Sequence, residues 1–384
     1  MRFHAHVNAS VKILNDYHGH LPFAKWLKDF FKANKKYGSK DRKIISSLCY
    51  GYFRLGRNTE KFSPEKSVVI GYAINASEPD DLLNYYLPDF SQWLKAVPKA
   101  GIAEKMDFFK LSTKDIFPFQ EELSLALDKN EFSIFHLSQP GVFLRIRPDK
   151  ATEVYDKIES VPEAKLEGKF TIQVPASFPV ETYFQTDKEV VIQDKSSQKT
   201  SELFPSLPAN AEIWDACAGS GGKSIMAYDQ YKNIKLTVSD IRTSILKNLK
   251  NRFQRANIKA VHSFIADLAE IVPSNSLYDL IIADVPCSGS GTWGRSPEQL
   301  IYFNPDKIDY YSQRQKKILG NIIPSLKPQG YLVYITCSVF ERENESNVQY
   351  LINKFGLKLI REKYFTGYNE KADTLYGALL QRKD

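Results

Sequence analysis

Apolar positions change their period twice along the chain. Over residues 1–135 they recur at helical spacing: Val11 and Leu14, then Phe23, Trp26, Leu27, Phe30 and Phe31, then Ile44, Ile45, Leu48 and Tyr52 beyond the turn at Gly38. Ser39 is the expected N-cap of that last helix, with Gly51 near its end. Glu78 to Pro98 is richer in turn residues and shows no usable period. Alternation then takes over. Phe143-Leu144-Arg145-Ile146-Arg147, Phe170 to Val174 and Thr182-Tyr183-Phe184 predict strands, and Lys150 to Ile158 a helix, a small α+β module over residues 136–193.

From residue 194 to 384 strands and helices alternate. Strands are expected at Glu212–Asp215, Leu236–Val238, Val261–Ile265, Leu280–Ala283, Tyr331–Ile335, Leu357–Ile360 and Leu375–Leu380, with helices at Lys223–Tyr231, Ile241–Ala256, Asp306–Ser325 and Glu341–Phe355. Such alternation implies an α/β fold, a doubly wound parallel sheet with right-handed crossovers. Ligands bind such sheets at the carboxyl ends of the strands, so the chemistry is to be sought there.

Composition narrows the class. Over 384 residues, 43% are hydrophobic and 25% charged, the balance of a water-soluble chain of two or three domains. Without an apolar run near the roughly 20 residues of a membrane span, and with MRFHAHVNAS at the start, a cytoplasmic protein without a membrane partner is expected. Net charge is +7, but residues 1–66 hold 14 Lys and Arg against five acids, +9, and leave −2 for the rest. Lys35, Lys36, Tyr37, Lys40, Arg42, Lys43, Tyr50, Tyr52, Phe53, Arg54 and Arg57 interleave basic and aromatic side chains. The pattern suits a polyanion that is also stacked upon, such as RNA; a solvated helical face with aromatic core positions has the same appearance. The four cysteines, Cys49, Cys217, Cys287 and Cys337, form no CxxC pair, so neither a metal site nor a disulfide framework is expected.

Five strand ends carry the candidate chemistry. Asp215-Ala216-Cys217-Ala218-Gly219-Ser220-Gly221-Gly222-Lys223 is a glycine loop that opens a helix, able to wrap a ligand closely. It matches the phosphate-cradling loop only in part, because position 217 is Cys, and the dinucleotide fingerprint only in part, because position 224 is Ser. Asp240 and Asp267 end the next two strands, where they could cap helices or accept from a ribose diol and an adenine amine. Asp284-Val285-Pro286-Cys287 and Thr336-Cys337-Ser338 bring a carboxylate and two thiols to one sheet edge. That set suits covalent catalysis, although two small buried thiols would read alike. Cys49 lies in a helical apolar pattern and reads as an inert core thiol.

At these residues the chain resembles the RsmB-type (Sun family) RNA cytosine-5 methyltransferases, which use S-adenosylmethionine. The matching stretches are Val191 to Gln198, Asp215 to Lys223, Asp284 to Gly291 running on to Arg295-Ser296-Pro297-Glu298, and Thr336-Cys337-Ser338 followed by Glu343-Asn344-Glu345. Asp41 to Ile45 and Gly51 to Arg54 are more loosely similar to the NusB-like helical domain of some members. The resemblance implies a Rossmann-like seven-stranded methyltransferase domain (194–384), an RRM-like module (136–193) and a NusB-like RNA-binding domain (1–135). It implies that Cys217, Ala218, Gly219, Ser220, Gly221, Gly222 and Lys223 line the cofactor, with Asp240 at its ribose, Asp267 at its adenine and Asp284 between cofactor and base. Cys337 matches the family nucleophile, Cys287 the thiol that resolves the adduct, and Lys223 a residue orienting Asp284 or Cys287. Two departures stand out: Ser220 where Pro is usual, and Gly294 in place of the first of two arginines. A monomer acting on ribosomal RNA is expected; transfer RNA as substrate, or an RNA-binding assembly factor with little catalysis, are the rivals.

Overall fold

A computed structural model of the chain describes residues 2–231, 233–259, 261–270 and 276–383. It divides into two compact units: Met1–Leu123 with Asp128–Pro140 and Thr292–Pro305, and Ser124–Leu127 with Gly141–Gly291 and Asp306–Asp384.

The first unit is helical, with Arg2–Asp16, Phe23–Ala33, Ser39–Arg54 and Pro64–Ala73 among its helices. Their apolar stripes, including Ile13, Phe23, Leu27, Ile45, Leu48, Phe53 and Val69, meet in one core. Ser39 is not the N-cap. Gly38 stands there in extended backbone, and its N–H donates to the Asp41 side chain three residues on, at 3.1 Å. The stretch without a period holds two short helices, Asp81–Tyr86 and Pro88–Ala96. Asp80 caps the first by accepting from Leu83 N, and Pro88 opens the second at the position where a missing N–H costs nothing. Thr292–Pro305 is built into this unit by Trp293, which is buried with ring-centroid distances of 5.7 Å to Phe117 and Phe119 and 4.7 Å to Phe303. Glu298 adds an acceptor for Phe23 N at 3.1 Å.

The second unit contains two sheets. The small one comprises β1 (Val142–Ile146), β2 (Lys165–Leu166), β3 (Thr171–Val174) and β4 (Val190–Ile192) in the order β2-β3-β1-β4, antiparallel at each pairing. Thr182-Tyr183-Phe184, expected as a strand, is instead the end of a single helical turn, Val180–Tyr183. Pro179 sets the entry to that turn and Phe184 N closes it on Val180 O, so local turn chemistry wins over β-rich composition.

The large sheet comprises β5 (Glu212–Asp215), β6 (Lys235–Asp240), β7 (Val261–Ile265), β8 (Tyr278–Asp284), β9 (Leu326–Thr336), β10 (Lys358–Phe365) and β11 (Leu375–Gln381), in the order β10-β11-β9-β8-β5-β6-β7. Pairings from β9 through β8, β5 and β6 to β7 are parallel, as expected. The sheet is not parallel throughout, because β11 lies antiparallel between β9 and β10. The link 366–374 is too short for the crossover of about a dozen residues that parallel neighbours need. Leu280, Ile282, Val333 and Ile335 face one apolar layer, and Ile281, Ala283, Leu332 and Tyr334 the other. Each fully buried aliphatic side chain of this kind contributes about 1.5–3 kcal/mol.

The helix after β5, Gly222–Gln230, is tied to the small sheet through Asp229. Its two carboxylate oxygens take Arg145 Nη1 and Arg147 Nη2, each at 2.6 Å, with all three side chains nearly buried. Among the described residues no helix is long and apolar enough to cross a membrane.

Candidate active site

The two central parallel strands end side by side. Asp284 on β8 is in register with Ile335 on β9, and Val285 N donates to Ile335 O at 3.1 Å just before both strands break. Pro286 then turns the first chain outward, while Thr336 ends the second. The thiols of Cys287 and Cys337 consequently meet, Sγ to Sγ 3.3 Å, as free cysteines. Gly291 makes this approach possible. Its N–H donates to Cys337 O and its carbonyl accepts from Thr374 N, both at 2.9 Å, and a Cβ there would lie 1.9 Å from Thr374 O.

Lys223 and Asp284 share the same edge. Lys223 is buried at the start of its helix, with Nζ 3.2 Å from Asp284 Oδ2 and donating to Ser197 Oγ at 2.6 Å. Asp284 itself remains partly open, with about a third of its side chain exposed, 32%. The hydrogen bond with Cys337, together with burial, raises the pKa of Cys287, so Cys287 keeps its proton.

Around the glycine loop, Gly221 adopts φ +86 as the helix N-cap, a conformation that L side chains rarely take. Asp240 lies under the loop. Its Oδ2 accepts Gly219 N at 3.0 Å and its Oδ1 accepts Arg242 N and Nε at 2.9 Å. Burial works against its charge, but these donors overcome it and hold its pKa below the usual carboxylate range. Asp267 accepts from Arg314 Nη2 at 3.2 Å and Ala269 N at 3.1 Å. Cys217 lies two residues beyond β5, where burial pushes its thiol pKa up, and Ala218 N donates to Ser239 O at 2.9 Å. Ser220 accepts Arg252 Nη1 on both its carbonyl, at 2.7 Å, and its hydroxyl, at 3.1 Å.

Several polar groups were not singled out from the sequence. Asp215 is fully buried, and burial raises its pKa to about 7 although Ser224 Oγ donates to it at 2.5 Å; its Oδ1 has no protein partner. Ser197, within the matching stretch Val191 to Gln198, reaches the edge from a short helix, and Gln315 from the middle of a long one, a position with no sequence signature. Glu343, noted only within a matching stretch, is completely buried and bonds to both cysteine-bearing turns.

In the helical unit the basic and aromatic set separates. Lys35, Lys36, Lys40, Lys43 and Arg57 are exposed, whereas Phe53 and Arg54 are buried. Arg54 Nη1 donates to the carbonyls of His136, Ser138 and Gly294 at 2.9–3.0 Å, and burial lowers its pKa to about 10. Position 294 has no space for an arginine: a Cβ on Gly294 would lie 2.8 Å from Pro140 and 2.9 Å from Phe135. Cys49 is core, its thiol raised to about 12 by burial.

Residues 205–374, which contain all of the strand-end turns above, match the family described as 16S rRNA methyltransferase RsmB/F. This part of the chain is similar to the RsmB/F methyltransferases. A ribosomal RNA small subunit methyltransferase B of Xanthomonas campestris is 30% identical over 169 residues, 43% of this chain and 38% of that protein. A probable ribosomal RNA small subunit methyltransferase B of Bacillus subtilis is 29% identical over 232 residues, 57% of this chain and 51% of that one. The chain thus matches between about two-fifths and a half of the length of these curated RsmB relatives. The crystal structure of PH0851 shares the fold at TM-score 0.70 and 18% identity, covering 97% of each chain. A methyltransferase homolog protein from Pyrococcus horikoshii does so at 0.58 and 18%, covering 68% of this chain and 93% of its own.

Proposed function

We propose that this protein methylates carbon 5 of a cytosine in RNA, with ribosomal RNA as the substrate class and S-adenosylmethionine as the methyl donor. The observation that carries the reading is the approach of Cys287 and Cys337 to 3.3 Å, on the same edge as Lys223 and Asp284. The family match of residues 205–374 supports the class of reaction, and the names of the RsmB relatives supply the substrate class.

The donor set around the glycine loop fits an adenosyl group. Asp240 would hold the ribose hydroxyls, exchanging its bonds to Arg242, whose side chain is 60% exposed and can swing aside. Asp267 would accept from the adenine amine, and residues 217–223 would surround the remainder. S-adenosylmethionine bound there supplies an electrophilic methyl group.

Carbon 5 of cytosine is too weakly nucleophilic to take that methyl unaided. The thiolate of Cys337 adds to carbon 6, and the electron pair of the C5–C6 bond becomes available at carbon 5 while charge builds toward N3. Asp284, held by Lys223, shares a proton with N3 and stabilises that charge. Once carbon 5 carries the methyl group, its proton passes to a base, the C5–C6 double bond re-forms, and the S–C6 bond returns its electrons to Cys337. Cys287 is the group beside Cys337 that serves this release. The hydrogen bond with Cys337 and burial raise the pKa of Cys287, which suits the partner of the attacking sulfur rather than the nucleophile. The face of the base must be reached, so the target is single-stranded or flipped out.

The test is methyl transfer from radiolabelled S-adenosylmethionine to cellular RNA by the full chain and by Cys337→Ala. Loss of transfer in the variant is expected, and transfer at the parental rate would defeat the reading. Bisulfite mapping of the product distinguishes ribosomal from transfer RNA.

A further inference from the structure

A completely buried carboxyl group joins the turns that carry the two thiols. Glu343 Oε2 accepts the backbone N–H of Ser288 at 2.8 Å, and its Oε1 accepts the hydroxyl of Ser338 at 2.8 Å. Ser288 follows Cys287 and Ser338 follows Cys337, so one side chain spans both turns. The hydroxyls of Ser288, Ser290 and Ser338 close a ring alongside, with Oγ separations of 3.1–3.2 Å. Ser290 and Ser338 in turn accept Val339 N at 3.0 Å and Phe340 N at 3.1 Å.

The far side of Glu343 is equally fixed. Gln315 Nε2 donates to Glu343 Oε2 at 3.1 Å and to Pro286 O at 3.0 Å. That amide cannot turn round, because its Oε1 already accepts from the Tyr334 hydroxyl at 3.0 Å and Asn347 Nδ2 at 2.6 Å. The single proton of the Tyr334 hydroxyl is shared between that oxygen and the Glu343 carbonyl. Glu343 therefore meets three donors on a rigid frame that spans β8, β9 and the helix Asp306–Ile322. A buried carboxyl group loses solvation, which raises its pKa, but three donors are what the ionised form requires. Nothing in the proposed reaction uses Glu343 as a proton carrier.

We infer that Glu343 is a positioning residue that sets the spacing of the Cys287 and Cys337 sulfurs, and through it the rate of the covalent steps. Its charge has a secondary effect, helping to keep the proton on Cys287. The chemistry of this inference rests on the proposed function, but the spacing is measurable without any methylation. A glutamine at 343 can keep all three hydrogen bonds by presenting its oxygen to Ser288 and Gln315 and its amide to the Ser338 oxygen. Alanine keeps none.

The experiment measures the rate at which diamide, whose N=N bond is reduced to a hydrazine, converts the two thiols of the full-length protein into a disulfide, read by peptide mass spectrometry. Glu343→Ala is expected to slow the Cys287–Cys337 disulfide about tenfold, and to lower kcat by about tenfold to a hundredfold with KM for S-adenosylmethionine and RNA within about twofold. Glu343→Gln should restore the disulfide rate to within about twofold of the parent, which a loss of general stability would not predict. If Glu343→Ala does not fold, Ser338→Ala, which removes one of the three hydrogen bonds, must slow disulfide formation severalfold. A folded Glu343→Ala, or failing that a Ser338→Ala, that oxidises at the parental rate overturns the inference. If the parent methylates no RNA, the proposed function fails while the disulfide rates still decide the role of Glu343.

Discussion

Arg54 and Glu343 are both buried charged residues, one in the helical unit and one at the edge of the large sheet, yet they serve different ends. Arg54 donates to three carbonyl oxygens from two separate stretches of chain, and so it closes a fold. Glu343 accepts from groups immediately beside two thiols, and so it shapes a site. The difference follows from architecture. Parallel strands deliver their carboxyl ends to one edge, so residues distant in sequence converge where chemistry can occur. Helices packed face to face spread their polar groups around a core, and those that are buried become ties. A buried charge is therefore informative about function only when its partners adjoin reactive groups.

Five variants probe that contrast, in decreasing order of effect. Cys337→Ala is expected to reduce methyl transfer by about a thousandfold or more while leaving the melting temperature within a few degrees, because a nucleophile carries the reaction and little of the packing. A residual rate near the parental one would move the chemistry away from the thiol pair. Lys223→Met frees Asp284 and Ser197 from their shared ammonium, and a fall in kcat of about tenfold to a hundredfold is expected from misplacement of the carboxylate.

On the helical side, Arg54→Met should cost about 2–4 kcal/mol in denaturant unfolding, since it strands three buried carbonyls. Replacing Lys35, Lys36, Lys40 and Lys43 by Gln should instead leave stability within about 0.5 kcal/mol and flatten the log–log salt dependence of RNA binding by about one for each phosphate no longer neutralised. If the four lysines matter to stability and Arg54 does not, the assignment of ties and footprint is reversed.

The smallest effect is a pH dependence. Burial raises the folded-state pKa of Asp215 to about 7, above the unfolded value of about 3.9. The folded protein holds a proton that the unfolded chain has already released, so the stabilising contribution is complete below about pH 4 and is lost as pH rises through about 7. Asp215→Asn should remove this loss, and the gain in melting temperature over the parent should grow between pH 5 and 8. A gain that is independent of pH would assign the change to packing alone.

The sequence disclosed the strand ends well, because each ends in a residue that strands do not tolerate or a loop that helices need: Pro286, the Gly219–Gly222 loop, and acids at 240, 267 and 284. The antiparallel β11 was hidden because Leu375–Leu380 has the apolar run of a buried strand in either direction, and only the short link before it carries the distinction. Thr182 to Phe184 has the β-branched and aromatic composition of a strand, but Pro179 just before it sets a helical turn. Arg54 sat among exposed lysines in the sequence, and nothing local marks the three carbonyls that bury it. Glu343 was invisible as a hub, since its partners Ser288, Ser338 and Gln315 come from three separate segments.

Cys287→Ala incubated with S-adenosylmethionine and substrate RNA tests most directly what the two adjacent thiols do to a cytosine. After nuclease and protease digestion, mass spectrometry should find a methylated cytidine joined to the peptide bearing Cys337, in a complex that survives denaturation. Full turnover by Cys287→Ala with no linked peptide, or a linkage at any other residue, would contradict the roles proposed for the two thiols.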